Sequence, residues 1–528
     1  MTEHTKVVVI GLDGATWDLI KPWADKGEIP TFKKLMDNGV WGDLESTIPP
    51  VTGPAWVSFS TGKNPGKHGI FDFVYLENNR LKLHTSRDVK SKTFYEILSM
   101  EGLRNIIISL PLSFPPKSKF NGIMVSDFLY PKKEIYPLSK KGYIENYKVI
   151  PDLSKKGYRL LSDIIDTIKK RIQLAKNLFS KEKWDFYFLC VGETDSILHH
   201  FWKDITHNTK IGQSAKKVFY IADEFLDWLL DQMDEKTILF IMSDHGFTSY
   251  PHTVNLNKIL LDKELLKTKI KEKKIDETLG RHIMEAFGGG GKKKEISLPE
   301  PFFKVVSHPV MKPLSKRIFK WIFKDREINY VKGVDFEASK AFVPTSESMS
   351  IYINRKIDEN ERECIVENII KILNDLKYNG QKVFKYVLRK NEVYSGPFVK
   401  LAPDILLIPN GFYITSGFSD KVFDNFKMGA FHDQKGIFLA YGKGIKKGQR
   451  IDPKIYDIAP TILHIFGLPI PNDMNGRVLM EIFEEDSEFA GRKPKYVDPS
   501  YYEKGQEDEK IKKALKKAIK NLKLKGKI

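Results

Sequence analysis

The stretch 49–70, PPVTGPAWVSFSTGKNPGKHGI, offers a hydroxyl, Thr52, in a turn built from Pro50, Gly53 and Pro54. Proline and glycine fix the backbone there, so a side chain is presented rather than left to float. Taken alone, a threonine in such a turn is an ordinary hydrogen-bonded turn residue. Four further motifs carry acids and imidazoles. Asp13 stands in Gly11-Leu12-Asp13-Gly14, and Asp244-His245-Gly246 forms a second cluster. Asp195 and His199 are four residues apart, a spacing that puts both on one helical face and lets them hold one ion. His432 closes the run Gly429-Ala430-Phe431-His432. Mixed carboxylate and imidazole donors suit zinc, with manganese as the alternative, and are too rich in nitrogen for calcium or magnesium.

These residues need elements to bring them together. Asp13, Asp195 and Asp244 each follow an apolar, strand-like run: Lys6–Ile10, Phe186–Val191 and Thr237–Met242. His432 precedes a fourth run, Ile437–Tyr441. Helical patterns alternate with the runs, near Trp17–Asp25, Pro30–Asn38, Leu160–Phe179 and Val218–Met233, the second opening on proline. Such alternation predicts an α/β fold with a mostly parallel sheet covered on both faces. Ligands of open parallel sheets bind at the carboxyl ends of strands, which is where three of the motifs fall.

In this order the motifs resemble the alkaline phosphatase superfamily, and within it the type I phosphodiesterase and nucleotide pyrophosphatase branch. The resemblance rests on Gly11-Leu12-Asp13-Gly14, Pro-Pro-Val-Thr52, Thr61-Gly62…Pro65…His68-Gly69-Ile70, Thr194-Asp195…His199, Ser243-Asp244-His245-Gly246 and His432. Tyr456-Asp457-Ile458-Ala459-Pro460-Thr461 and Asn475-Gly476-Arg477-Val478-Leu479 match the closing segment of many members. It implies a three-layer α/β/α sandwich and a two-metal phosphoesterase. One ion would be held by Asp195, His199 and His432, the other by Asp13, Asp244, His245 and the Thr52 oxygen. Thr52 would be the nucleophile, passing through a phosphorylated intermediate, with an anionic phosphate ester as substrate. Phosphodiester or pyrophosphate bonds are the expected targets. A phosphomonoesterase, a phosphomutase and a non-catalytic binding protein on the same fold are the alternatives. The branch carries an asparagine three residues after the nucleophile, contacting the phosphoryl oxygen; this chain has Ala55. The Gly53 N–H or Lys63 is expected to substitute for it.

Composition frames the rest. The chain has 528 residues, 41% hydrophobic, enough for a large core. Two cysteines, Cys190 and Cys364, exclude a disulfide framework and any multi-cysteine zinc site. The net charge of +18 is uneven: residues 256–335 and 491–528 carry +8 each, leaving +2 elsewhere. The expected organisation is a catalytic domain over 1–490 with a basic insertion at 256–335 bordering the site, followed by a basic tail over 491–528. Within these, 313–324 (PLSKRIFKWIFK) and 510–528 have an amphipathic helical pattern with lysine-rich faces. Peripheral contact with anionic membrane is expected there. No aromatic residues interleave with the lysines of 510–528, so sequence-specific nucleic-acid binding is not expected. No basic start leads into a long apolar stretch, so a cytoplasmic location is expected.

Overall fold

The burial pattern of the strand Lys6–Leu12 dictates the layering. Successive side chains of a strand point to opposite faces, and here both faces are apolar. Val8, Ile10 and Leu12 enter one core, Val7 and Val9 another. In the computed structural model this strand is the middle member of a nine-stranded sheet. The structure describes residues 5–77, 80–117, 119–130, 132–268, 327–328, 333–417, 421–426 and 429–503.

From one edge the strands run Gln449–Arg450, Val40–Glu45, Lys435–Gly442, Thr237–Met242, Lys6–Leu12, Phe186–Val191, Asn105–Ile108, Gly122–Val125 and Ile135–Tyr136. Lys6–Leu12 pairs in parallel with both neighbours, Val9 facing Phe188 on one side and Phe240 on the other. Lys435–Gly442 enters antiparallel, between Val40–Glu45 and Thr237–Met242. Trp17–Asp25, Pro30–Asn38, Gly157–Lys181 and Lys217–Gln232 cover one face. Thr52–Thr61, Phe94–Met100 and Ile458–Ile465 cover the other. The fold is therefore the expected three-layer α/β/α sandwich. Helix Gly157–Lys181 shows why: Leu161, Ile164, Ile168, Ile172 and Ala175 recur at helical spacing and are all buried.

Between Gly246 and Ala430 the chain leaves this sheet and builds a second core. Antiparallel strands Ala341–Phe342, Ser350–Ile353, Ile405–Pro409 and Phe384–Arg389 carry the helix Glu359–Asp375, which buries Ile365, Val366, Ile369 and Leu373. His252–Asn255, Phe412–Thr415 and Phe423–Asn425 form a small sheet beside it. The basic insertion was expected to open at Leu256. Its first helix, Leu256–Asp262, places Leu256, Ile259 and Leu260 in this second core. Residues 313–324 and 510–528 lie outside the described residues. The tail expected from 491 begins later, because 491–503 pack on the body. Tyr496–Val497 pairs with Ile470–Pro471, and the buried Tyr502 donates its hydroxyl to Pro469 O at 2.6 Å. Among the described residues no helix is long and apolar enough to cross a membrane.

Candidate active site

Thr52 is the first residue of the helix Thr52–Thr61, whose ten residues are all buried. The turn read over Pro50, Gly53 and Pro54 ends at Val51, the extended N-cap, so Gly53 and Pro54 already belong to the helix. The Thr52 hydroxyl thus sits at the positive end of a helix dipole. The helix lies close on the sheet because residue 11 is glycine. A Cβ at Gly11 would fall 2.5 Å from the Trp56 ring. Trp56, one turn beyond Thr52, donates its indole N–H to Asp13 Oδ2 at 3.2 Å.

Asp13 follows the central strand and is fixed from two further sides. Thr194 Oγ1 donates to its carbonyl at 2.7 Å, and the Gly14 N–H donates to Asp244 Oδ1 at 3.3 Å. Gly14 has a φ of +67°, and a Cβ there would lie 2.9 Å from Asp195 Oδ1. Both reasons favour glycine.

Asp195 and His199 share one face of the helix Glu193–Thr206, as their spacing requires; His199 Nε2 lies 3.2 Å from Asp195 Oδ1. The start of that helix is anchored by Arg171, whose Nε and Nη2 donate to Glu193 at 3.0 and 2.9 Å, with a further bond to Val149 O at 2.7 Å.

His432 stands just before a strand of the central sheet, Lys435–Gly442, as expected. It lies on a short strand, Ala430–Asp433, paired antiparallel with Gly246–Ser249 so that His432 faces Phe247. This ribbon stacks the His432 ring on His245, centroids 3.6 Å apart. His245 Nδ1 is 2.9 Å from Gly246 O, and His432 Nδ1 is 3.1 Å from Pro50 O. A carbonyl only accepts, so each Nδ1 carries the proton and each Nε2 presents a lone pair inward.

The inward atoms converge. His245 Nε2 is 3.1 Å from Thr52 Oγ1, 3.3 Å from Asp244 Oδ2 and 3.6 Å from Asp13 Oδ1. His432 Nε2 is 3.1 Å from His199 Nε2 and 3.6 Å from Asp195 Oδ1. Ligand atoms of Asp13, Asp244 and His245 lie within 4.8 Å of one another, as do those of Asp195, His245 and His432. Burial raises Asp13 well above the usual carboxyl range, with Asp244 and Asp195 adding repulsion. Asp244 is pushed up to about 7, by burial and then by Asp195. Burial opposes ionisation of Asp195 too, but His199 outweighs it and holds the carboxyl well below its usual range. Burial, then His245, lowers His432 to about 3, which keeps its imidazole neutral. Asp13 Oδ1, Asp195 Oδ1 and Asp244 Oδ2 are buried with no hydrogen-bond partner. Orphaned carboxylate oxygens facing inward imidazole lone pairs make a donor set suited to divalent metal ions.

The two residues expected to touch substrate part company. Gly53 follows Thr52 in the first helical turn, where N–H groups have no intrahelical acceptor. Lys63 does not come to the site. It lies past the far end of the same helix, roughly 15 Å along by helical rise. It is buried there in an ion pair with Asp473. His68 braces the following turn, 2.9 Å from Ser58 Oγ. Sequence reading missed the supports: Trp56, Thr194 and Ser243, whose hydroxyl donates to Ala15 O at 2.9 Å and accepts from Ile437 N at 2.8 Å. Thr194 and Ser243 each precede an aspartate of the converging cluster, a signal that adjacency alone could have supplied.

The sequence model of the "Type I phosphodiesterase / nucleotide pyrophosphatase" family matches residues 7–436. Comparison with curated protein sequences gives no match. Among solved structures, phosphonoacetate hydrolase from Sinorhizobium meliloti, in complex with phosphonoformate, is 13% identical with a TM-score of 0.53. The match covers 88% of this chain and 95% of that one. Wild-type alkaline phosphatase PafA is 15% identical with a TM-score of 0.52, over 92% of this chain and 100% of that one. Murine ectonucleotide pyrophosphatase/phosphodiesterase 5 is 15% identical with a TM-score of 0.49, over 91% and 100% respectively. At these identities the structural likeness is one of fold.

Proposed function

The chain belongs to the type I phosphodiesterase/nucleotide pyrophosphatase family and is a phosphoric ester hydrolase, and from that we propose that it cleaves phosphodiester or pyrophosphate bonds through a phosphorylated Thr52. The observation that carries this reading is the Thr52 hydroxyl at a helix N-terminus, 3.1 Å from His245 Nε2 and beside a converging set of acids and imidazoles.

Two divalent metal ions fit that set, zinc by the donor chemistry, with manganese as the alternative. Asp195, His199 and His432 would hold one; Asp13, Asp244, His245 and Thr52 Oγ1 would hold the other. When bound, such a pair supplies a lowered hydroxyl pKa and neutralises charge that builds on the attacking and leaving oxygens. The chain's own residues do the rest. The Thr52 oxygen gives up its hydroxyl proton and forms a bond to phosphorus as the ester P–O bond breaks, and the departing alcohol or phosphate takes up one proton, so that none is gained or lost overall. The helix N-terminus and the Gly53 N–H stabilise the developing phosphoryl charge. Trp56 holds Asp13 in place. Water then cleaves the phosphothreonine and restores the hydroxyl.

Hydrolysis of bis-nitrophenyl phosphate and of nitrophenyl phosphate by the zinc- or manganese-loaded protein tests this. The diester is expected to turn over faster; preference for the monoester would overturn the choice of bond and point to a phosphomonoesterase or phosphomutase using the same residues. Thr52→Ala should lose at least about 1,000-fold in kcat. Full activity in that variant would remove Thr52 as nucleophile.

A further inference from the structure

The second core meets the active site through a turn that the mechanism does not use. Residues 343–349, Val-Pro-Thr-Ser-Glu-Ser-Met, link the strands Ala341–Phe342 and Ser350–Ile353. Thr345 Oγ1 donates to Asp72 Oδ2 at 3.3 Å, and Ser348 Oγ binds the same oxygen. Asp72 in turn belongs to the wall of the Thr52 turn. A Cβ at Gly53 would lie 3.7 Å from Asp72 O and 3.3 Å from the Phe73 ring.

Two polar atoms of this seam are left over. Glu347 is 6% exposed, and its Oε2 has no hydrogen-bond partner. Tyr413 is 5% exposed, and its hydroxyl has none either. The Glu347 charge acts on Tyr413, and Glu347 is itself acted on by Asp72 and by Asp195 of the acid and imidazole cluster. Tyr413 is one ring removed from that cluster. Its ring lies 4.8 Å from Phe431, which stacks at 4.1 Å on His432. A buried carboxyl and a buried phenol left unmatched in one seam are costly unless something else satisfies them. Neither is a metal ligand, and neither is needed to hold the turn.

We propose that Glu347 and Tyr413 form a specificity subsite that hydrogen-bonds the hydroxyl groups of a polyol or sugar carried on the phosphate ester. This rests on the phosphoester hydrolase reading above and names the organic part of its substrate. Hydroxyls are favoured over an ammonium group by the surroundings. The Tyr413 ring is stacked on Phe426 at 4.1 Å, so that face is closed to a cation. The neighbouring side chains are hydroxyls: Thr345 and Ser348 lie 2.6 Å apart, Ser346 and Ser416 3.2 Å. Burial, with Asp72 and Asp195 adding to it, raises Glu347 well above the ordinary carboxyl range. A carboxyl group accepts a hydrogen bond from a hydroxyl in either protonation state.

The test compares nitrophenyl phosphodiesters that differ in their second alcohol: glycerol, choline and ethanol. The expected result is a preference for the glycerol ester. Glu347→Gln and Tyr413→Phe should each lower kcat/KM for it by about five- to tenfold, one lost hydrogen bond apiece, while leaving the ethyl ester unchanged. Equal effects on all three esters, or a preference for the choline ester that Glu347→Gln abolishes, would overturn the proposal. Failure of the wild type to cleave any ester would count against the hydrolase mechanism instead. The subsite is then read by calorimetry on metal-loaded Thr52→Ala. Glycerol 3-phosphate should bind more tightly than inorganic phosphate, and Glu347→Gln should remove the difference. No difference between the two ligands would sink the subsite independently of turnover.

Discussion

Trp56 donates one hydrogen bond into the site, and that bond decides how Asp13 is aimed. Replacing it by phenylalanine removes the N–H together with the distal ring atoms that lie against Gly11. Supports of this kind typically cost 10–100-fold in metal affinity when lost, so Trp56→Phe should weaken zinc retention by about 10-fold. Equilibrium dialysis checks it, and unchanged retention would reduce the bond to packing. Asp127 offers a test away from the site. It accepts from Leu129 N at 2.7 Å, and burial pushes its carboxyl up to about 7. A carboxyl that is harder to ionise when folded contributes its full stability below its unfolded pKa near 4. It loses that contribution as pH rises through 7. Asp127→Asn should therefore flatten the fall in stability between pH 4 and 7 by roughly 4 kcal/mol at most. Urea unfolding at several pH values measures the slope. At this scale the acids proposed as ligands were legible in sequence because Asp13, Asp195 and Asp244 each stand just past a strand. Trp56, Glu347 and Tyr413 were not legible, since nothing local marks a ring or an acid whose partner lies in a different layer. Lys63 misled for the converse reason: closeness in sequence to Thr52 is undone by ten residues of helix.

The helix Glu193–Thr206 carries two of the proposed ligands, Asp195 and His199, and its first turn is tied down from outside. Arg171 of the long helix Gly157–Lys181 forms a buried ion pair with Glu193, two residues before Asp195. Removing one partner of a buried pair leaves the other charge uncompensated. Arg171→Ala should cost roughly 3–5 kcal/mol and lower activity through displacement of Asp195. A urea midpoint within error of the wild type would show the pair to be dispensable. The elements themselves were readable. Trp17–Asp25, Pro30–Asn38, Phe186–Val191 and Thr237–Met242 form with the bounds their apolar periodicity suggests. The ribbon that carries His432 was not readable. Its strands Gly246–Ser249 and Ala430–Asp433 are four residues each, and their register depends on a partner far along the chain. Short strands carry too little alternation to announce pairing.

At the scale of the whole molecule, two cores share one site. The α/β/α body supplies Thr52, Asp13, Asp195 and Asp244, and the chain completes its second core before returning with His432. Composition pointed to an insertion but not to its fold, because the lysine-rich flank hides the apolar strands that follow it. The return also finishes the sheet. Lys435–Gly442 lies between Val40–Glu45 and Thr237–Met242, so the third strand from one edge is among the last to be made. A chain ending at residue 434 would leave Val40–Glu45 without the neighbour that joins it to the sheet, and is expected to show no esterase activity in an assay of the purified fragment. The same order means that Thr52 leaves a ribosome long before His432 does, so the full set of converging side chains can assemble only after residue 432 has been made.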